Sequence, residues 1–146
     1  MLRSLGVLIL LGLLASLLVS CGFVETADSR AKPSGFPLRG YVSVVGASPG
    51  GVGTPCQAPA SAPDVAPGLP VRVLDPAGGV LGTSALGNGV LAEAPDDSGY
   101  RCNFPFEVAN VPGGPDSYVV VVGARPAVSF PAKDLRADKP AIIELR

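Results

Sequence analysis

Apolar positions along the chain follow two rhythms. From Ser4 to Ser20 they are almost continuous, interrupted only by small residues at Gly6, Gly12, Ala15 and Ser16. From Phe36 onward they come in short runs that alternate with polar positions. Leu38 to Gly46 predicts a first strand, followed by a Pro/Gly/Ala/Ser loop from Ala47 to Pro63 that carries Cys56. Leu69, Val71 and Val73 alternate with Pro70, Arg72 and Leu74, the period of two expected of a strand with one buried face. Asp75-Pro76-Ala77-Gly78 then puts Asp and Pro at the first two corners of a turn, so Val80 to Leu86 should return as the second arm of a hairpin. Gly87-Asn88-Gly89 breaks that arm, and Val90 to Gly99 reads as a loop.

The cleanest alternation lies between Arg101 and Val108. Cys102, Phe104, Phe106 and Val108 share one face, and Arg101, Asn103, Pro105 and Glu107 the other. Pro105 has no N–H to give a ladder, so this strand is expected at a sheet edge or with a bulge. Val111 to Pro115 turns the chain into Tyr118–Val122, which is apolar on both faces. A short strand around Val128, one helical turn between Pro131 and Asp138, and a last strand through Ala141, Ile143 and Leu145 complete the pattern. Seven short strands at this spacing predict an all-β fold, a single β-sandwich.

The first segment has a different meaning. Arg3 gives it a short positive start, and the apolar run after it would make roughly 25 Å of helix, short of a comfortable membrane span. That is the shape of an export signal. Leu18-Val19-Ser20-Cys21-Gly22 resembles the bacterial lipobox, in which a lipoprotein signal peptidase cuts before a cysteine whose thiol carries diacylglycerol. The resemblance implies a signal peptide over 1–20, lipidation of Cys21 and an extracytoplasmic domain anchored to the lipid membrane. Two or three acyl chains anchor stably, at about 0.8 kcal/mol per buried CH₂, where one chain does not. The alternatives are an uncleaved signal anchor with a chance cysteine, or plain secretory cleavage nearby. Residues 21–35 are polar and aperiodic, a tether, and the sandwich domain is expected over 36–146.

Three cysteines leave an odd thiol in an exported protein. Lipidation of Cys21 would resolve this, because Cys56 and Cys102 then remain as a pair in an oxidising compartment. The chain-entropy model gives such a bridge about 4 kcal/mol, less any strain. The alternative is two reduced, buried cysteines. Two thiols and no imidazole make a poor zinc site.

Composition changes this picture in two places. All 16 prolines and most of the 19 glycines lie beyond residue 20. So much Pro and Gly excludes a long helical bundle and would suit disorder, except that valine outnumbers leucine 17 to 8 in the same region. Valine strands joined by tight turns reconcile the two. The formal net charge of −1 shows no basic stripe for nucleic acid and no acidic tail. The excess of Arg over Lys, with abundant Ala, Gly, Pro and Val, is the bias of a GC-rich bacterial genome.

Asp75-Pro76-Ala77-Gly78, Gly99-Tyr100, Cys102-Asn103-Phe104-Pro105-Phe106-Glu107-Val108, Val111-Pro112-Gly113 and Tyr118-Val119-Val120-Val121 together resemble the sequence grammar of prealbumin-like and carboxypeptidase-regulatory-like sandwiches. Gly53-Thr54-Pro55-Cys56 with Cys102-Asn103-Phe104-Pro105-Phe106 is similar to an extracytoplasmic domain of actinobacterial envelope proteins. The resemblance covers about Leu38 to Arg146 and implies a seven-stranded prealbumin-like sandwich. It departs at Gln57-Ala58-Pro59-Ala60, where related chains are glycine-rich.

Catalysis finds little support in the residues. The chain has no histidine, so serine and cysteine triads lose their usual base, and the histidine-dependent hydrolases and dioxygenases on related sandwiches have no counterpart here. Ser29-Arg30-Ala31-Lys32 matches Ser-x-x-Lys only in the tether. Glu93, Asp96 and Asp97 read as a solvated turn rather than a Ca²⁺ loop, and no metal or cofactor is implied. Gly50-Gly51-Val52-Gly53 is followed by Thr54-Pro55 and is no phosphate loop. The expectation is therefore a non-catalytic envelope module binding a protein, glycan or lipid. Tyr118, Val120 and Val122 are candidates for an interaction face on a strand apolar on both sides. The rival reading is an enzyme or accessory protein that gathers Asp96, Asp97, Tyr100 and Tyr118 in one cleft.

Overall fold

The computed structural model describes residues 34–95 and 99–146. The signal segment, Cys21, the Ser29–Lys32 motif, most of the tether, and Asp96 and Asp97 lie outside the described residues. Among the described residues, eight strands and one short helix follow in chain order: β1 Phe36–Val45, β2 Pro70–Leu74, β3 Val80–Ala85, β4 Val90–Glu93, β5 Tyr100–Val111, β6 Ser117–Val122, β7 Val128–Pro131, α1 Ala132–Arg136 and β8 Ala141–Leu145. They form two four-stranded sheets, ordered β4-β5-β1-β8 and β3-β2-β6-β7.

The alternation that predicts the strands also sets their inward faces. In the first sheet Leu38, Val42 and Val44 of β1 and Cys102, Phe104, Phe106 and Val108 of β5 are buried. In the second, Val71 and Val73 of β2 join Tyr118, Val120 and Val122 of β6 in the same apolar cluster. Side chains from two inner faces interleaving in this way are what makes a β-sandwich. The β2–β3 hairpin closes as its sequence requires. Asp75 Oδ1 accepts hydrogen bonds from the backbone N–H groups of Ala77 (2.9 Å) and Gly79 (2.8 Å), and Gly78 holds φ +91°, which its lack of a Cβ permits.

Three expectations need correction. The strand count is eight rather than seven, because Val90–Glu93 is a strand and not a loop; it pairs antiparallel with β5 from Val90↔Asn103 to Glu93↔Tyr100. Only Leu91 of its four residues is buried, so it carries little apolar signal. Second, β5 is an interior strand, flanked by β4 and β1. Pro105 is tolerated there because β4 pairs no further than Asn103. The Pro105 carbonyl accepts from Gly87 N–H at 2.7 Å, on the side away from β1, so the missing N–H also faces away from that ladder. The expected bulge is present on β5, away from Pro105: between Phe36↔Val111 and Leu38↔Val108 it carries one residue more than β1, with Asn110 there at φ 55°.

Third, Tyr118, Val120 and Val122 form no interaction face. They are 0%, 0% and 2% exposed and point into the core. The strand alternates after all: the intervening Ser117, Val119 and Val121 are half-buried on the other side, where Leu74 and Arg72 of β2 stand opposite Val119 and Val121. The Tyr118 hydroxyl donates to the Pro112 carbonyl at 2.7 Å, six residues upstream, and its ring meets Phe36 edge-on at 5.5 Å between centroids. A tyrosine bonded back across its own turn is a recurring lock of β-sandwiches.

The last strand adds a long-range constraint. β8 runs parallel to β1, from Gly40↔Ala141 to Val44↔Leu145. Helix α1, which buries Ala132 and Leu135, leads the chain across to it. Gly40 is needed at that crossing, since a Cβ there would run into the Ala141 carbonyl oxygen and come within 2.6 Å of the Phe106 ring.

Candidate binding surfaces

Cys56 and Cys102 are joined, with Cα atoms 5.8 Å apart. The bridge fastens the long Pro/Gly loop to β5, yet it is not the loop's sole attachment. Gly53 N–H donates to the Leu91 carbonyl (2.8 Å), Leu91 N–H to Thr54 (2.9 Å) and Cys56 N–H to Gly89 (3.0 Å), so residues 53–56 lie as an improvised strand along β4. Further on, Ala62 and Val65 are buried in the core. Between them Asp64 grips Arg125 with both oxygens, Oδ1 to Nη2 at 2.6 Å and Oδ2 to Nε at 2.9 Å. A bidentate pair of this kind fixes geometry as well as charge. The guanidinium holds the Asp64 carboxyl below its ordinary pKa.

These attachments leave an open cleft of about 610 Å³ beside the bridge. Cys56, Val65, Gly89 and Phe104 contribute to its apolar part, and the Gln57 and Asn88 amides are its polar side chains. Its volume is that of ordinary ligand pockets, and nothing titratable lines it.

A second surface lies on the outer face of the β4-β5-β1-β8 sheet. The register brings its side chains into rows. Pro105 of β5 stands opposite Tyr41 of β1, and Tyr41 opposite Ile142 of β8. Pro105 and Ile142 are exposed and Tyr41 half-buried, giving an apolar row across three strands. One row along, Asn103, Ser43 and Glu144 stand opposite one another in the same order. Ser43 is 2% exposed, and Asn103 Oδ1 is buried with no hydrogen-bond partner among the described residues.

Ion pairs border the apolar row on both sides. Arg39 Nε donates to Glu107 at 2.9 Å and its Nη1 to Asp138 at 3.0 Å, while Arg101 Nη1 reaches Glu144 at 2.8 Å. The hydrogen bonds that Arg39 donates, to Glu107 first and Asp138 second, raise its pKa above the ordinary value. Beside the first pair runs a shallow groove of about 520 Å³, lined mainly by apolar atoms of Tyr41, Gly87, Pro105 and Pro140.

Of the four residues of the rival catalytic reading, the two that are described, Tyr100 and Tyr118, are divided between the sheets. Tyr100 is on β5 and borders a recess of about 220 Å³ with Glu93 and Gly99. Tyr118 is on β6, buried, with its hydroxyl bonded to Pro112 and 3.4 Å from Arg136 Nη2. Asp134 and Asp138 each hold an ion pair, with Lys139 and Arg39. No group of three or more metal-binding side chains gathers among the described residues. The polar residues of the outer sheet face are visible in the alternation of β1 and β5. Their convergence is not, because it depends on the pairing register and on a strand contributed from the far end of the chain.

The chain matches no protein-family model, no curated protein and no solved structure.

Proposed function

We propose that the chain is an extracytoplasmic lipoprotein, held to the cell membrane by acyl chains on Cys21, whose sandwich is a non-catalytic binding module of the cell envelope. The observation that supports it best is the Cys56–Cys102 bridge. It uses both cysteines of the folded domain and leaves Cys21, in Leu18-Val19-Ser20-Cys21, as the one cysteine outside it. A bridge of this kind belongs to oxidising compartments. The signal segment before Cys21 and the polar stretch after it suit a domain exported and then tethered. The two open surfaces, one neutral and one ringed by ion pairs, suit binding better than proton transfer.

Within this reading the domain is a prealbumin-like sandwich of an actinobacterial envelope protein, with β4 as a strand added beside the seven of that pattern. Its ligand is an envelope protein, glycan or lipid.

Mass spectrometry of protein extracted from native membranes tests the anchor. Cys21 is expected as the N-terminal residue, carrying the mass of two or three acyl chains. Cys21→Ser should move the protein out of the membrane fraction. Recovery of a chain that still begins at Met1 would refute the anchor.

A further inference from the structure

The outer face of the β4-β5-β1-β8 sheet has a form that the binding-module reading does not specify. Its apolar row, Pro105–Tyr41–Ile142, spans three strands, about 10 Å from the strand spacing. Protein partners of stable complexes cover roughly 800 Å² on each side, far more than three side chains bounded by charges. The row is instead about the width of one or two small rings. A ligand lying on it must tolerate an apolar floor and, at the same height, polar groups on both edges.

Those polar groups are of both kinds. Arg39 presents guanidinium donors and stands between two carboxylates, Glu107 and Asp138, whose side chains are 52% and 70% exposed. Across the row, Glu144 is 47% exposed and is fixed by Arg101. Each carboxylate is already bonded to a guanidinium, with Arg39 shared between two of them, and keeps lone pairs to offer. A simple anion would meet three carboxylates, and a simple cation two guanidinium groups. A neutral polyol is complementary to both, since every hydroxyl is donor and acceptor at once. A pyranose adds a flat face of C–H bonds that stacks on an aromatic ring while its equatorial hydroxyls point sideways.

We propose that this face binds a neutral saccharide, with one sugar ring stacked on Tyr41 between Pro105 and Ile142, and its hydroxyls bonded to Glu107 and Arg39 on one side and Glu144 on the other. The groove of about 520 Å³, lined by Arg39, Tyr41, Pro105 and Glu107 together with Gly87 and Pro140, gives this ring its space on the Glu107 side. The proposal deepens the binding-module reading and rests on it for the presence of glycan, though not for the chemistry of the site.

The test uses full-length protein in a zwitterionic, sugar-free detergent, titrated separately with maltose, cellobiose and chitobiose while backbone amide resonances are followed. Saturable shifts are expected at Gly40, Tyr41, Phe106, Glu107 and Ile142 with at least one of them. Tyr41→Ala should weaken that binding about tenfold or more, as loss of a central aromatic contact does. Tyr41→Phe keeps the ring and should stay within about twofold. Gly114→Ala, outside both surfaces and with nothing within 4 Å of the added Cβ, should leave the affinity unchanged and serves as the folded control. The site is refuted if none of the three disaccharides moves these resonances, if the shifts gather around Gln57 and Asn88, or if Tyr41→Ala binds like the parent. A proline-rich peptide that saturates the same resonances when the sugars do not would also overturn it. The titration gives the same answer whether or not Cys21 is acylated, so its failure and that of the anchor are read separately.

Discussion

Gly89 lies against Cys102 so closely that a Cβ on it would come within 2.6 Å of the Cys102 sulfur. The same Cβ would meet the Cys56 carbonyl oxygen at 2.6 Å and the Phe104 ring at 2.9 Å. The glycine is therefore required by packing rather than by backbone conformation. It makes room for the bridge between the loop and β5, and its carbonyl accepts the Cys56 N–H.

Gly89→Ala is expected to destabilise the domain by about 1–3 kcal/mol, the usual cost of forcing an extra methyl into a filled site. Urea denaturation of the oxidised protein measures it. The exposed Gly114, where an added Cβ meets nothing within 4 Å, is the control, and Gly114→Ala should change the midpoint little.

Removal of the bridge itself should cost about 4 kcal/mol, less any strain, through the freedom returned to the unfolded chain. The comparison is Cys56→Ala/Cys102→Ala against the oxidised parent in the same denaturant series. Free-thiol labelling of the folded parent should leave both cysteines unmodified. Ready labelling of both would refute a closed bridge.

Asp64 and Arg125 give the loop a pH dependence of definite sign. The carboxyl is held below its ordinary pKa in the folded chain by the hydrogen bond from Arg125. Its contribution to stability is thus fully present above the unfolded carboxylate value, about pH 4, and is lost as pH falls through the lower folded value. Asp64→Asn should be less stable than the parent at neutral pH, and the difference should shrink toward zero below that window. Denaturation midpoints of the two proteins between pH 7 and pH 2 check it; a constant difference would contradict the assignment.

Tyr118→Phe removes the hydroxyl bonded to Pro112 while keeping the ring against Phe36. A loss of about 1 kcal/mol is expected, the net value of one hydrogen bond, with some addition from the carbonyl left behind. Thermal unfolding of the variant provides the measurement.

Local physics made much of this fold legible in advance. The Asp75–Gly78 turn and the alternation in β2 and β5 are local signals, and both hairpin arms and the buried faces follow from them. The helical turn before β8 and the pairing of Cys56 with Cys102 were also within reach. What escaped depends on partners distant in sequence. Val90–Glu93 becomes a strand because β5 and residues 53–56 offer it ladders on both sides. Pro105 fits an interior strand because β4 stops short of it. The two apolar faces of Tyr118–Val122 look equivalent until β2 and β7 fix which one turns inward. Of the outer face of the first sheet, single residues were visible as outward positions on β1 and β5. The row they form with Ile142 comes from a parallel pairing that nothing in the local pattern announces.

That parallel pairing also has a mechanical side. β1 enters the first sheet at Phe36, and β8 leaves it at Leu145, opposite Val44 at the far end. A pull between these two points runs along both strands in opposite directions, so the bonds from Gly40–Ala141 to Val44–Leu145 bear load together in shear. They cannot be opened one after another, as the bonds of a hairpin can when its two free ends are drawn apart. A domain pulled between the start of β1 and the end of β8 would therefore yield late, with its most force-resistant ladder formed by these two strands.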